Sequence, residues 1–182
     1  VYPVGSPLHN KETLEIKSMT ANEEDILMSP ALIKQGKVLD SLLSACLIDK
    51  NIDPNELLSG DRNALMIAIR ITGYGSEYRV KTTCPNCGAR RPHSFDLANL
   101  SIKRLLLRPV NEAGNVFEFE LPITKKVVHF KFLNGKEEAE RNLLAERMKK
   151  VTGESGVNRE VTSKLEYQVV AIDGITDGNA VR

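Results

Sequence analysis

The most informative stretch in the central part of this chain is Tyr78-Arg79-Val80-Lys81-Thr82-Thr83-Cys84-Pro85-Asn86-Cys87-Gly88. Residues 78–83 alternate as a half-buried strand does, and Pro92 to Asp96 lead away from the cysteines, so the stretch predicts a β-hairpin with CPNCG at its tip. Two thiolates in this spacing can occupy two of the four coordination positions of a tetrahedral Zn²⁺. The glycine allows the tight turn that directs backbone amides at sulfur.

A closed zinc site needs four ligands, and the rest of the chain offers few of them. Cys46 falls on an apolar helix stripe and is predicted to be a core thiol. His93 lies outside the usual short spacings from the cysteine pair, and neither His9 nor His129 has a suitable neighbour in sequence. The missing ligands are therefore expected beyond Arg182.

Three interpretations of the cysteine pair stay open. Cys84 and Cys87 are zinc ligands, two reduced thiols in an exposed turn, or a redox pair of the thioredoxin type. The redox interpretation needs a helix directly after the motif, and Gly88-Ala89-Arg90-Arg91-Pro92 does not favour one. We expect zinc, in a site that is incomplete within this chain.

Composition narrows the class of protein. The 182 residues are 41% hydrophobic, enough for a core, but only 5% aromatic. The 25 basic and 24 acidic residues give a net charge of +1, so no global field attracts nucleic acid or anionic lipid. No apolar run reaches the roughly 18 residues of a membrane span. The chain has three cysteines and shows no secretory signal pattern, which indicates a protein of a reducing compartment.

The first half of the chain predicts an extended, proline-containing arm at residues 1–12 and a mainly helical region at 13–75. Leu14 and Ile16 alternate with charged residues as in a half-buried strand. A capping box at Thr20-Ala21-Asn22-Glu23 predicts a helix to Met28. Two longer helices are predicted over about 32–49 and 61–72.

The second half predicts a β region at 76–134 and a helical region at 135–182 that is truncated at its C-terminal end. After the hairpin, residues 116–121 and 127–132 alternate strictly and predict a second antiparallel strand pair. Helices are expected over 136–151 and 160–172, with a loop at 153–158 and a cut-off helix starting near Asn179. The predicted fold class is α+β.

A set of motifs gives the chain a family resemblance. Gly60-Asp61-Arg62, Arg70, Tyr74-Gly75-Ser76-Glu77-Tyr78 and the CPNCG turn follow in this order, and Ile172-Asp173-Gly174 comes later. The chain resembles the T4-type bacteriophage baseplate hub family from about Leu14 onward. The resemblance implies a hub subunit or hub-assembly protein. It also implies a second CxxC beyond a further helical stretch, which would supply the two missing zinc ligands.

The expected function is therefore that of a non-enzymatic structural or assembly component of a contractile tail baseplate, in its hub or wedge region. The resemblance implies other tail proteins as partners in a large symmetric assembly, in the virion or in the host cytoplasm during assembly. Neither a membrane nor nucleic acid is an expected partner. The runner-up is a zinc-ribbon-like nucleic-acid-binding module in which basic residues around the knuckle contact phosphate. An oxidoreductase is the third class.

Partner contacts are predicted at two places. The arm residues Val1, Tyr2, Pro3 and Val4 suit a segment that becomes ordered on a partner. Arg62 and Arg70 either anchor carboxylates of a neighbouring subunit or form salt bridges within the chain.

Overall fold

The computed structural model describes residues 2–101, 105–110, 114–152 and 160–176, with side chains from 148 to 152 and at 160 left aside. Helices and two small antiparallel sheets confirm the predicted α+β class. The chain divides into two compact units. The helix–hairpin unit comprises Leu14–Lys50 and Asp61–Leu105. The sheet unit comprises Val1–Thr13, Asn51–Gly60 and Leu106–Arg182.

Three helices begin the helix–hairpin unit: α1 (Ala21–Met28), α2 (Pro30–Gln35) and α3 (Val38–Cys46). The single helix predicted over about 32–49 is wrong, because Gly36 adopts a left-handed conformation at φ 67° and ends α2. The predicted strand near Ile16 is reduced to one antiparallel bridge with Leu47.

The buried residues of α3 follow the predicted stripe. Leu42, Leu43 and Cys46 are buried within the helix, and Leu47 is buried directly after it. Leu39, the first residue of that stripe, is 50% exposed. The helix α1 packs against α3. The predicted stripe is therefore buried from Leu42 onward, and Leu39 lies outside the core.

The capping box of α1 holds a buried carboxylate. Glu23 has no exposed surface, and it accepts hydrogen bonds from the Thr20 N–H at 2.9 Å and from Lys17 Nζ at 2.7 Å. The Thr20 hydroxyl donates a further bond of 2.5 Å. These donors lower the pKa of Glu23 to about 2, with the Lys17 bond as the largest cause. The buried charge is thus fully compensated.

Helix α4 (Ser59–Tyr74) leads into the hairpin. It starts two residues before the predicted start, so Asp61 lies in its first turn. Strands β1 (Glu77–Thr83) and β2 (Arg90–Asp96) pair antiparallel from Glu77–Asp96 to Thr83–Arg90. The hairpin predicted around CPNCG is confirmed.

The sheet unit contains a three-stranded antiparallel sheet in the order β3 (Phe117–Glu120), β4 (Val127–Phe130), β5 (Val169–Ile172). Phe117 is fully buried, and its ring centroid lies 5.2 Å from that of Phe132 and 5.8 Å from that of Phe130. This aromatic cluster is one part of the core of the unit, which also contains the buried Leu57, Leu133 and Ala171.

The predicted strand pair is therefore incomplete, because β5 adds a third strand. The helix predicted over 160–172 ends at Gln168, as α6 (Glu160–Gln168), and Val169 begins the strand. β-Branched residues suit a strand, and pairing with β4 overrides the helical pattern at this point. Helix α5 (Gly135–Thr152) follows β4 in the chain and precedes α6. The loop predicted at 153–158 and the helix near Asn179 lie outside the described residues.

The N-terminal segment is not the extended arm that was predicted. Residues 3–11 form successive turns, with backbone bonds from Ser6 to Pro3, His9 to Ser6 and Lys11 to Leu8 of 3.0 to 3.2 Å. Prolines set φ for turns as well as for extended chain, and Gly5 takes a positive φ of 91°. Leu8 is only 4% exposed, which places the segment against the sheet unit.

Candidate functional site: the hairpin knuckle and the α4 motif

The CPNCG turn closes the β1–β2 hairpin as a compact knuckle. The Cys84 N–H donates to the Ala89 carbonyl at 3.0 Å, and the Gly88 N–H donates to the Cys84 carbonyl at 2.9 Å. Gly88 has a φ of 69°, where a side chain would be strained. The cysteine spacing and the glycine together therefore build the predicted turn.

The knuckle stabilises a thiolate at its first cysteine. The backbone N–H of Cys87, the backbone N–H of Asn86 and the Cys87 thiol all donate to Cys84 and lower its pKa. Cys84 is half-buried and Cys87 is exposed, and both thiols are free. A thiolate that accepts backbone amides is suited to bind a soft or borderline metal ion.

The described residues do not complete a zinc site. No group of three or more His, Cys, Asp or Glu side chains suited to a metal ion occurs among them. His93 contacts Phe95, with ring centroids 4.6 Å apart. Cys46 is fully buried in α3, and burial raises the pKa of its thiol. A four-ligand zinc site therefore does not fit the described residues alone.

Basic residues flank the knuckle on both strands of the hairpin. Arg79 donates two hydrogen bonds of 2.8 Å to the Glu77 carboxylate on the same strand. Arg90 and Arg91 are exposed at the other side of the turn. The fold and charge give no support to the nucleic-acid-binding alternative beyond the presence of these cations.

The motif residues of α4 bind one another and the hairpin. The Arg70 guanidinium lies 4.6 Å from the centroid of the Tyr74 ring and 5.8 Å from that of Tyr78, in cation–π contact. It also donates to the Gly75 carbonyl at 3.2 Å. Arg70 therefore fixes the end of α4 to the first residues of β1. The helical i, i+4 spacing of Arg70 and Tyr74 is the sequence signal for this contact.

The other predicted arginine has a partner within the same unit. Arg62 forms an ion pair with Asp40 of α3, and its side chain is 15% exposed. The contact links the first turns of α3 and α4. The two arginines predicted as anchors thus lie at opposite ends of α4 and do not form one site.

The predicted arm residues have separate environments. The Tyr2 hydroxyl oxygen accepts a hydrogen bond of 2.9 Å from the Leu58 N–H. Its carbonyl oxygen lies 2.8 Å from His9 Nδ1. Pro3 and Val4 are exposed, Val4 at 72%. Val1 lies outside the described residues. The sequence pattern carried no signal for the long-range bond of Tyr2.

These contacts define a structural module, in which motif residues hold secondary-structure elements together. The model of the T4 bacteriophage base plate protein family matches residues 4–177. The chain belongs to this family, which confirms the resemblance at the level of the family and assigns the chain a structural role in a phage baseplate. Comparisons with curated proteins and with solved structures found no match.

Family membership has two direct consequences. The baseplate is part of the phage tail, so the location is the virion tail and the partners include other tail proteins.

In the part of the chain that the structure describes, none of the helices has the length and apolar character needed to cross a bilayer.

Proposed function

We propose that this chain is a non-enzymatic subunit or assembly factor of the hub region of a contractile tail baseplate, acting through protein–protein contacts. The observation that carries the proposal is the family match over residues 4–177. The narrower assignment to the hub rather than the wedge rests on a resemblance. The motifs from Gly60 to Gly88 follow one another in the order found in the baseplate hub family. Assembly takes place in the host cytoplasm before the tail is complete.

The contacts of these motifs support the proposal. Arg62 pairs with Asp40, Arg70 contacts Tyr74 and Tyr78, and the CPNCG turn closes the hairpin that Tyr78 begins. The motif residues thus build a rigid support for the hairpin. A subunit of a large assembly needs such a support to present a surface in a fixed orientation.

Two predicted contact residues remain part of the proposal. Pro3 and Val4 are exposed at the start of the sheet unit, where a neighbouring subunit can reach them. Tyr2, Arg62 and Arg70 contribute indirectly, because their side chains already bind groups of the same chain.

Zinc binding is a further part of the proposal. Cys84 and Cys87 bind one Zn²⁺ through a knuckle whose backbone amides favour the thiolate. The other two ligands come from outside the described residues. The metal would supply structural cross-linking, since a closed four-ligand site stabilises a fold without taking part in a reaction.

A localisation experiment tests the proposal. An epitope-tagged chain is supplied to a phage whose own copy is disrupted, and purified tails and baseplate intermediates are probed for the tag. The tag should occur in hub-containing intermediates. A chain found only in wedge intermediates would move the function to the baseplate periphery.

A further inference from the structure

Residues 106–110, called the leucine segment below, hold apolar side chains in solvent outside any helix or strand. Leu106 is 92% exposed, and Leu107 and Val110 are 45% and 51% exposed. Single apolar residues at a surface are ordinary, whereas neighbouring ones are typical of interaction sites. The leucine segment therefore exposes three apolar side chains within five residues of the sheet unit.

The backbone of this segment is also open. The Val110 N–H donates to the Val116 carbonyl at 2.8 Å, and this is the segment's one backbone hydrogen bond to another residue that the structure describes. Pro109 has no N–H to offer. Segments with unused backbone groups and exposed apolar side chains bind partners by filling pockets and by pairing with backbone at the edge of the groove.

The charge of the surrounding sequence indicates the kind of partner. Between Asp96 and Glu112 the sequence contains basic residues and no acidic residue, although the whole chain has 25 basic and 24 acidic ones. Arg108 lies within the leucine segment and is exposed. Complementary charge on a partner increases the rate and specificity of association. The basic residues of this stretch are Lys103, Arg104 and Arg108.

The same charge disfavours a second copy as the occupant. A two-fold interface would place this stretch opposite itself and bring like charges together. We propose that the leucine segment docks into an apolar groove, bordered by Asp and Glu carboxylates, on a different protein of the phage tail. The proposal rests on the proposed function, which supplies tail proteins as partners.

A matched pair of substitutions tests the docking. Leu106→Glu places a carboxylate in the proposed groove, and Ile123→Glu does the same at a β3–β4 turn residue that is 91% exposed. In phage complementation, we expect Leu106→Glu to lower the amount of chain in purified tails about tenfold or more, as loss of an interface anchor does. Ile123→Glu should stay within about twofold of the wild type, because scattered exposed apolar residues contribute little.

The charge component is tested at Arg108. Arg108→Glu should reduce the amount of chain incorporated into tails. Arg108→Lys should retain most of the wild-type amount, since either cation complements carboxylates. Folding is checked by the far-ultraviolet circular dichroism and thermal midpoint of each purified full chain. The incorporation of a variant is interpreted only when its circular dichroism and its thermal midpoint agree with those of the wild type. If Leu106→Glu does not fold, the uncharged variant Leu106→Gln replaces it.

Photo-cross-linking identifies the occupant. p-Benzoylphenylalanine at position 106 should cross-link to another tail protein in assembled tails, at a peptide with Asp or Glu nearby, and the same probe at position 123 should not. Cross-links only to a second copy, or incorporation of Leu106→Glu equal to that of Ile123→Glu, would overturn the docking proposal. Absence of the wild-type chain from tails and from baseplate intermediates would instead overturn the proposed function.

Discussion

The Tyr2 hydroxyl oxygen accepts a 2.9 Å hydrogen bond from the backbone N–H of Leu58, a residue 56 positions further along the chain. The bond holds the start of the described chain against the segment that precedes α4. It also satisfies a part-buried backbone donor, which would otherwise lose its bond to water. The N-terminal segment is thereby part of the folded sheet unit.

Replacing Tyr2 should therefore destabilise the sheet unit. We expect Tyr2→Phe to cost about 0.5–1.5 kcal/mol in the free energy of unfolding, the usual net value of such a hydrogen bond. Urea denaturation measures it, with the exposed Val4→Ala as the control. Amide exchange should show protection at Leu58 in the isolated wild type, and rapid exchange there would contradict the contact.

The second prediction concerns the core of the helix–hairpin unit. Leu43 and Ile69 are 0% and 1% exposed, so replacing either with Ala should cost about 2–5 kcal/mol through lost burial and a new cavity. Leu39, which is 50% exposed, is the matched control on the same helix. Leu39→Ala should change stability by less than about 0.5 kcal/mol. Equal effects at Leu39 and Leu43 would show that the buried face of α3 is assigned incorrectly.

Much of this core follows from the sequence, because local patterns determine it. The stripe of α3, the capping box at Glu23 and the CPNCG hairpin are each set by residues a few positions apart. Gly36 ends α2, and a glycine followed by a lysine inside an apolar pattern is the local sequence signal for this helix end.

Long-range contacts explain what the sequence could not show. The strand β5 exists because Val169–Ile172 pairs with β4, about 40 residues earlier, and a local helical pattern does not contain this information. The bond between Tyr2 and Leu58 is of the same kind. For the candidate site, the sequence identifies Cys84, Cys87 and Arg70, but the contact of Arg70 with Tyr78 and the exposure of the leucine segment required the structure.

The third prediction uses the buried carboxylate. The pKa of Glu23 is lowered from 4.5 to about 2, so the folded state favours its ionised form. The resulting stabilisation is fully present above pH 4.5 and is lost as the pH falls through that value toward 2. Glu23→Gln should therefore lower the thermal midpoint at pH 7, and its difference from the wild type should shrink across this window.

Thermal denaturation at a series of pH values from 7 to 2 measures this difference. Asp25→Asn is the matched control, since Asp25 lies in the same helix and is exposed. A gap between Glu23→Gln and the wild type that stays constant down to pH 2 would rule out the ionised Glu23 as its cause.

The fourth prediction concerns zinc binding by the knuckle. Metal analysis should find one Zn²⁺ per chain, lost in Cys84→Ser and in Cys87→Ser because both thiolates are ligands. Cys46→Ser should retain it, since Cys46 is buried in α3. Zinc that is lost with Cys46→Ser but retained with Cys84→Ser would reverse the assignment. A wild type without zinc would leave the knuckle as a tight turn.

Cryo-electron microscopy of tails and baseplate intermediates that carry a tagged copy of this chain tests directly whether it is a subunit or assembly factor of the baseplate hub. We expect tag density at the hub of one or both of these assemblies. Density confined to the wedges would contradict the hub assignment. Absence of the chain from every tail and baseplate intermediate would contradict the baseplate role itself.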